Sequence, residues 1–116
     1  MTDHAQHVTV LEACLGKAAR LETFIGYAPD SIVSKTILDK QVGTVTLFAF
    51  DKGQKLSEHT SPYDAIVLVT EGHATVTIDG QPRGVSAGEI IIMPANVPHA
   101  VAADERFKML LIMIRG

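Results

Sequence analysis

Gly53-Gln-Lys-Leu-Ser-Glu-His59-Thr-Ser61-Pro-Tyr-Asp-Ala65-Ile-Val-Leu-Val-Thr-Glu-Gly72 and, further on, Gly88-Glu-Ile-Ile-Ile-Met-Pro94-Ala-Asn96-Val-Pro-His99 form the stretch whose reading decides the fold. Each segment opens on a glycine, runs into a short apolar strand pattern and presents one histidine near a strand end. Between them lies Asp79-Gly80, the strongest hairpin-turn signal in the chain.

Working outward, the residues on either side carry the same kind of pattern. Ser31 to Leu38 and Val42 to Phe50 are rich in β-branched and aromatic residues, with Asp39-Lys40-Gln41 as the connecting hairpin loop. Asp51-Lys-Gly53 is a turn, followed by a strand to about Ser61, where Pro62 interrupts pairing. Ala65 to Thr70 and Ala74 to Ile78 read as strands joined by a bend at Glu71-Gly72. Shorter ones follow near Arg83 to Ser86, Ile90 to Met93 and His99 to Ala102, and Phe107 to Ile114 is the last. About nine short strands with turn signals at short intervals predict an antiparallel sandwich or barrel.

Three of these strands, Ala65 to Val69, Ile90 to Met93 and Met109 to Ile114, are apolar on both faces. A sheet with one wet face would alternate instead. Their outer faces must therefore meet an N-terminal helix and hairpin or a second subunit, and a homodimer is the preferred expectation.

Upstream of Ser31 the pattern differs. Val8, Leu11, Leu15, Ala18, Leu21 and Ile25 recur every three or four residues, which predicts an amphipathic helix over Val8 to Ile25, weakened at Gly16 and ended by Gly26 and Pro29-Asp30. Residues 1 to 7 read as a frayed tail, in which His4 and His7 are spaced to chelate stray metal. The expected organisation is a single domain over 1–116, with tail and helix in 1–30 and a β-barrel in 31–116.

Composition sets the outer limits. The 116 residues are 47% hydrophobic and 20% charged, enough for a core that needs no covalent staples. Ten Lys+Arg against 13 Asp+Glu leave no basic field, so nucleic acid is not an expected partner. Cys14 is the only cysteine, which excludes an intrachain disulfide and fits a reducing compartment. No signal-peptide pattern is visible, and no apolar run approaches the roughly 18 residues of a membrane span. A cytoplasmic protein without membrane contact is expected.

The two quoted segments resemble the paired signature motifs of the cupin family, and the resemblance covers Gly53 to about Ala103. The first motif runs Gly, five residues, His-x-His, three or four residues, Glu, six residues, Gly; Gly53, His59 and Gly72 match it. The second runs Gly, five residues, Pro-x-Gly, two residues, His, three residues, Asn; Gly88, Pro94 and His99 match it. The resemblance implies an all-β fold, the cupin double-stranded β-helix or jelly-roll barrel, here with a short N-terminal helical segment.

The departures bear on function. Ser61 stands where the family's second histidine would be, Ala65 where its glutamate would be, Asn96 at the second motif's glycine and Ala103 at its asparagine. Asn96 is a mild change, because asparagine accepts a left-handed turn nearly as well as glycine. The resemblance implies three histidines and a glutamate around a divalent transition metal in the metal-binding members; this chain keeps His59 and His99 of those four. If it holds, His59, Ser61, Ala65 and His99 face the barrel interior, and strand alternation turns Glu58 away and gives Asp64 the wrong parity.

A ligand-binding pocket is therefore expected around His59, Ser61, Tyr63 and His99, with His59 and His99 as candidate metal ligands. Histidine also serves proton transfer near neutral pH without metal, and Tyr63 and Asp64 are the nearest partners in sequence. The plainer reading of His59 is a buried histidine bonded to Ser61 or Tyr63. Met93, Met109 and Met113 read as core filler in apolar strands; beside two histidines their thioethers would favour Cu(I). His73 reads as surface. Three functions compete: a small-molecule-binding protein, a metal-dependent dioxygenase or isomerase with a thinned ligand set, and a dimeric accessory protein. Ser61 and Ala65 favour the first over the second.

Overall fold

The β-branched and aromatic segments after Ser31 form strands, and their pairing closes the chain into two facing sheets. The structure, a computed structural model, describes residues 8 to 115. In chain order the strands are β1 (Thr9–Val10), β2 (Ile32–Lys40), β3 (Gly43–Phe50), β4 (Lys55–His59), β5 (Asp64–Ile78), β6 (Gln81–Ser86), β7 (Ile90–Met93), β8 (His99–Ala102) and β9 (Phe107–Ile114). All pairings are antiparallel.

The larger sheet runs β1-β2-β3-β9-β5-β7, and the smaller runs β6-β5-β8-β4. β5 belongs to both. Its first part pairs with β9 and β7, its last part with β6 and β8, and the register shifts between Val69 and Glu71. The bend expected at Glu71-Gly72 is thus a change of sheet within one 15-residue strand. The Asp79-Gly80 hairpin forms as expected, with both residues at positive φ (51° and 78°).

Alternation along the strands sorts side chains between two apolar layers. Phe50, Val67, Val69, Ala74, Val76, Val101, Phe107 and Met109 are buried between the sheets. On the outside of the larger sheet a second cluster packs Ile25 with Leu47 and Ala49, joined by Phe24, Tyr27, Val33 and Leu110. Of the three strands that are apolar on both faces, β9 is covered at Leu110 by the N-terminal segment, whereas Ile90 and Ile92 of β7 stay exposed.

That segment is not the continuous helix expected over Val8 to Ile25. It begins as β1, and its helical content is two single 3₁₀ turns, Glu12–Cys14 and Leu21–Thr23. Gly16 takes a left-handed φ of 71° and Arg20 an extended conformation, each of which breaks a helix. The apolar periodicity also has no groove to fill: Ile25 is buried, whereas Leu15 is 57% exposed. The segment is pinned by polar contacts instead. Tyr27 Oη donates to Glu71, and Arg106 and Lys108 sit over the Tyr27 ring. Burial, reinforced by Glu71, pushes the Tyr27 phenol well above its ordinary value. Asp51 accepts from Arg106 Nε at 2.8 Å and from the Asp30 N–H at 2.7 Å, and the Arg106 bond holds its carboxyl below the ordinary carboxylate value. His4 and His7 lie outside the described residues.

Candidate functional site

β4 and β8 are register partners, and their pairing sets His59 directly opposite His99. Leu56 pairs with Val101 on the same two strands, so β4 spends one residue more than β8 between the two pairs. This bulge turns Leu56 and His59 to the same side although they are three apart. Plain alternation would separate them, which is why Leu56 was not legible as part of the site. Each histidine is fixed by a carbonyl two residues earlier in the chain: His59 Nδ1 lies 2.8 Å from Ser57 O, and His99 Nδ1 lies 3.1 Å from Val97 O.

A carbonyl only accepts, so both Nδ1 atoms carry the proton and, in neutral rings, both Nε2 atoms are bare. The two Nε2 atoms are 3.2 Å apart, with the rings at 73° to one another. Two lone pairs at that separation repel unless a proton or another electrophile stands between them. His99 is 4% exposed. Burial lowers its pKa, and nearby His59 lowers it further against the opposing Val97 bond. The pair is thus a hydrogen-bond acceptor and proton acceptor, with His99 at the buried end and His59 at the exposed end.

Behind the pair is a cavity of about 50 Å³ whose wall includes His59, Ser61 and His99 as its polar members. Leu56, Val101 and Leu111 line it on the apolar side, with Ala65, Met93, Met109 and Met113. A water occupies about 30 Å³ of the liquid, so the enclosed space suits a group of one or two heavy atoms, with any larger remainder at the mouth. Wider hollows, about 250 Å³ near Lys108 and about 510 Å³ near Arg83, contain neither histidine.

The structure brings together His59, Ser61 and His99 of the four residues expected in the pocket. Tyr63 is not among the cavity-lining residues; its backbone N–H donates to Ser61 Oγ at 3.2 Å. Asp64 turns away, as its parity implied, and its Oδ1 accepts the Ala95 N–H at 2.8 Å. Glu58 is exposed and absent from the wall. Asn96 takes the left-handed conformation expected of a glycine substitute, φ 64°, and donates its N–H to Ser61 O at 2.7 Å. Those last two bonds tie the Pro94–His99 loop to the Ser61–Asp64 loop and so hold the histidines in place. His73 is exposed and bonds Ser86 Oγ.

A four-ligand divalent site of three histidines and a glutamate does not fit these residues. Among the described residues no group of three or more His, Cys, Asp and Glu is placed to hold a metal ion. Ser61 and Ala65 occupy the other two positions, and a methyl group donates nothing. The two imidazoles alone do have metal-compatible spacing, since bonds of about 2.0–2.1 Å at a tetrahedral angle set two nitrogens about 3.3 Å apart.

Comparison with known proteins bears on the family and the fold. The family model described as "Cupin domain" matches residues 46–114, more than half of the chain. A conserved Streptococcus pyogenes protein of unknown function is similar in structure (TM-score 0.86) at 34% identity, over 98% of each chain. A cupin superfamily protein from Desulfitobacterium hafniense superimposes with a TM-score of 0.84 at 25% identity, over 95% of this chain and 99% of that one. A cupin 2 conserved barrel domain protein from Leptotrichia buccalis is 42% identical with a TM-score of 0.79, over 82% of this chain but 46% of its own length. No curated protein matches. No helix among the described residues is long and apolar enough to cross a membrane. With the barrel, the two matched motifs and the family model in agreement, the chain belongs to the cupin family.

Proposed function

We propose that this chain is a small-molecule-binding cupin whose pocket is centred on His59 and His99. The observation that supports the reading is the meeting of two bare Nε2 atoms in front of an apolar cavity. Such a pair takes a ligand bearing one protic group, an O–H or N–H, which enters between the imidazoles and removes their repulsion. The apolar wall of Leu56, Val101 and Leu111 selects a hydrocarbon portion. The same pair serves as a general base if the ligand has an acidic C–H or O–H. A cytoplasmic setting accords with the single cysteine.

The test is NMR of the metal-free full-length chain, following the imidazole nitrogens while small alcohols, amines and carboxylic acids are added. At least one class is expected to shift both rings. The His59→Ala/His99→Ala variant is expected to lose that response while unfolding within a few degrees of the parent. A large drop in its unfolding temperature would instead make the pair a structural element and remove the pocket.

A second copy of the chain is the proposed partner, on a separate observation. Across the larger sheet the registers align Ile92, Ile66, Ile112, Val45, Leu38 and Val10 in one outward row. Ile90, Leu68 and Leu110 follow in the next. The N-terminal segment covers the Leu47 and Leu110 end, but Ile90 and Ile92 on β7 remain 63% and 59% exposed. Among the described residues β7 pairs only with β5, so its apolar face and its free edge are continuous. Light scattering is expected to give twice the 12.5 kDa chain mass, and Ile90→Lys/Ile92→Lys is expected to give the monomer. A monomeric parent would sink the proposal.

A further inference from the structure

The divalent ligand set fails at Ala65, and what flanks Ala65 suggests a different ion. Ala65 pairs with Met93 on β7 and with Met113 on β9. All three therefore lie in one row on the inward face, and all three line the cavity that His59 and His99 close. Two methionines flank, in register, the position where a carboxylate is missing. Met93 is 4% exposed and Met113 half-buried.

From this arrangement we infer that the pocket is a soft-cation site, in which His59 Nε2, His99 Nε2 and a thioether of Met113 or Met93 select Cu(I). The inference rests on the reading of the histidine pair as the pocket, and adds an ion to it. The chemistry follows from the donors. Thioether sulfur is a soft ligand that favours Cu(I), imidazole suits copper equally, and neither adds negative charge. A divalent ion would bring its two positive charges into an apolar cavity without a carboxylate; a monovalent ion brings one. The carbonyls of Ser57 and Val97 hold each ring by Nδ1 and so present Nε2 to the cavity, the outer-shell support that ligating histidines ordinarily have. An ion between the Nε2 atoms also resolves their repulsion at 3.2 Å.

The experiment is anaerobic titration of the metal-free full-length chain with Cu(I) against a colorimetric Cu(I) chelator, run beside Zn(II), with X-ray absorption of the copper-loaded protein. One Cu(I) per chain is expected, with nitrogen and sulfur in its shell. Met93→Leu/Met113→Leu keeps side-chain volume and is expected to remove the sulfur signal and weaken Cu(I) at least tenfold, leaving Zn(II) binding unchanged. Met113→Leu alone, at the less buried position, serves if the double variant unfolds. No Cu(I) uptake, a shell without sulfur, indifference of Cu(I) affinity to the methionines, or stronger binding of Zn(II) would each overturn the inference. Ring-nitrogen shifts with organic probes on the metal-free protein separate the two failures: if they persist, the pocket stands without copper, and if they are also absent, both readings fall.

Discussion

Phe107→Ala is expected to lower the free energy of unfolding by about 3–5 kcal/mol, the range for emptying a buried aromatic site. Phe107 has no exposed surface and stacks on Phe50 at 4.5 Å between centroids and 18° between planes. It also pairs across β9 with Phe50 of β3 on one side and Gly72 of β5 on the other. That position is where β5 leaves the larger sheet for the smaller, so backbone on both sides resists collapse into the vacated space. The cost should therefore fall in the upper part of the range. Urea unfolding followed by circular dichroism gives the value, with Leu15→Ala, at a position 57% exposed, as the exposed-site control expected to cost under about 1 kcal/mol. A loss below about 1.5 kcal/mol for Phe107→Ala would show that the ring pair is not the centre of the inter-sheet core.

The strands were legible because their residues obey a local rule: β-branched and aromatic runs between turn formers pair wherever a second such run can reach them. β2, β3, β7, β8 and β9 fall within a few residues of the expected bounds. The N-terminal helix was misread because its evidence was also local, a 3.6-residue apolar spacing, while the outcome was decided by tertiary packing. The larger sheet offers that segment a flat face and a hydrogen-bonding edge, where Leu11 N–H reaches Ile37 O, and not a groove for a helix. A long helix would also have had to pass Gly16 and Arg20 against their observed conformations.

The site was legible to the same degree. His59 and His99 are brought together on paper by the resemblance to the two cupin motifs, and the register of β4 and β8 sets them opposite each other. Leu56 could not be placed, since the β4 bulge that turns it inward leaves no mark on the pattern. Tyr63 keeps the alternation, half-buried between exposed Pro62 and Asp64, yet it is not among the residues that line the cavity. The two methionines were visible as residues but not as a pair, because what joins them is the register of β7 and β9 on opposite sides of Ala65. Registers between distant strands are a property of the closed barrel.

Gly72→Ala is expected to cost about 3 kcal/mol, far more than its single added methyl suggests. Two penalties combine at this position. Gly72 has a φ of 78°, a conformation that costs a residue with a Cβ about 1–2 kcal/mol. A Cβ there would also meet the Arg106 carbonyl oxygen at 2.3 Å and Phe107 Cα at 3.1 Å, both backbone atoms of the paired strand. Relief requires moving β9 away from β5, and forced repacking of that kind costs about 1–3 kcal/mol. Two other glycines separate the contributions. Gly80 has the same φ of 78° with nothing within 4 Å, so Gly80→Ala reports the backbone penalty alone. Gly43 has no positive φ but would place its Cβ 2.4 Å from Met113 O, so Gly43→Ala reports the close approach alone. The expected order of destabilisation is Gly72 above Gly43 and Gly80, with the Gly72 value near the sum of the other two. If Gly72→Ala costs no more than Gly80→Ala, the strand contact at the change of sheet is looser than 2.3 Å implies, and the glycine that closes the first motif is there for its turn only.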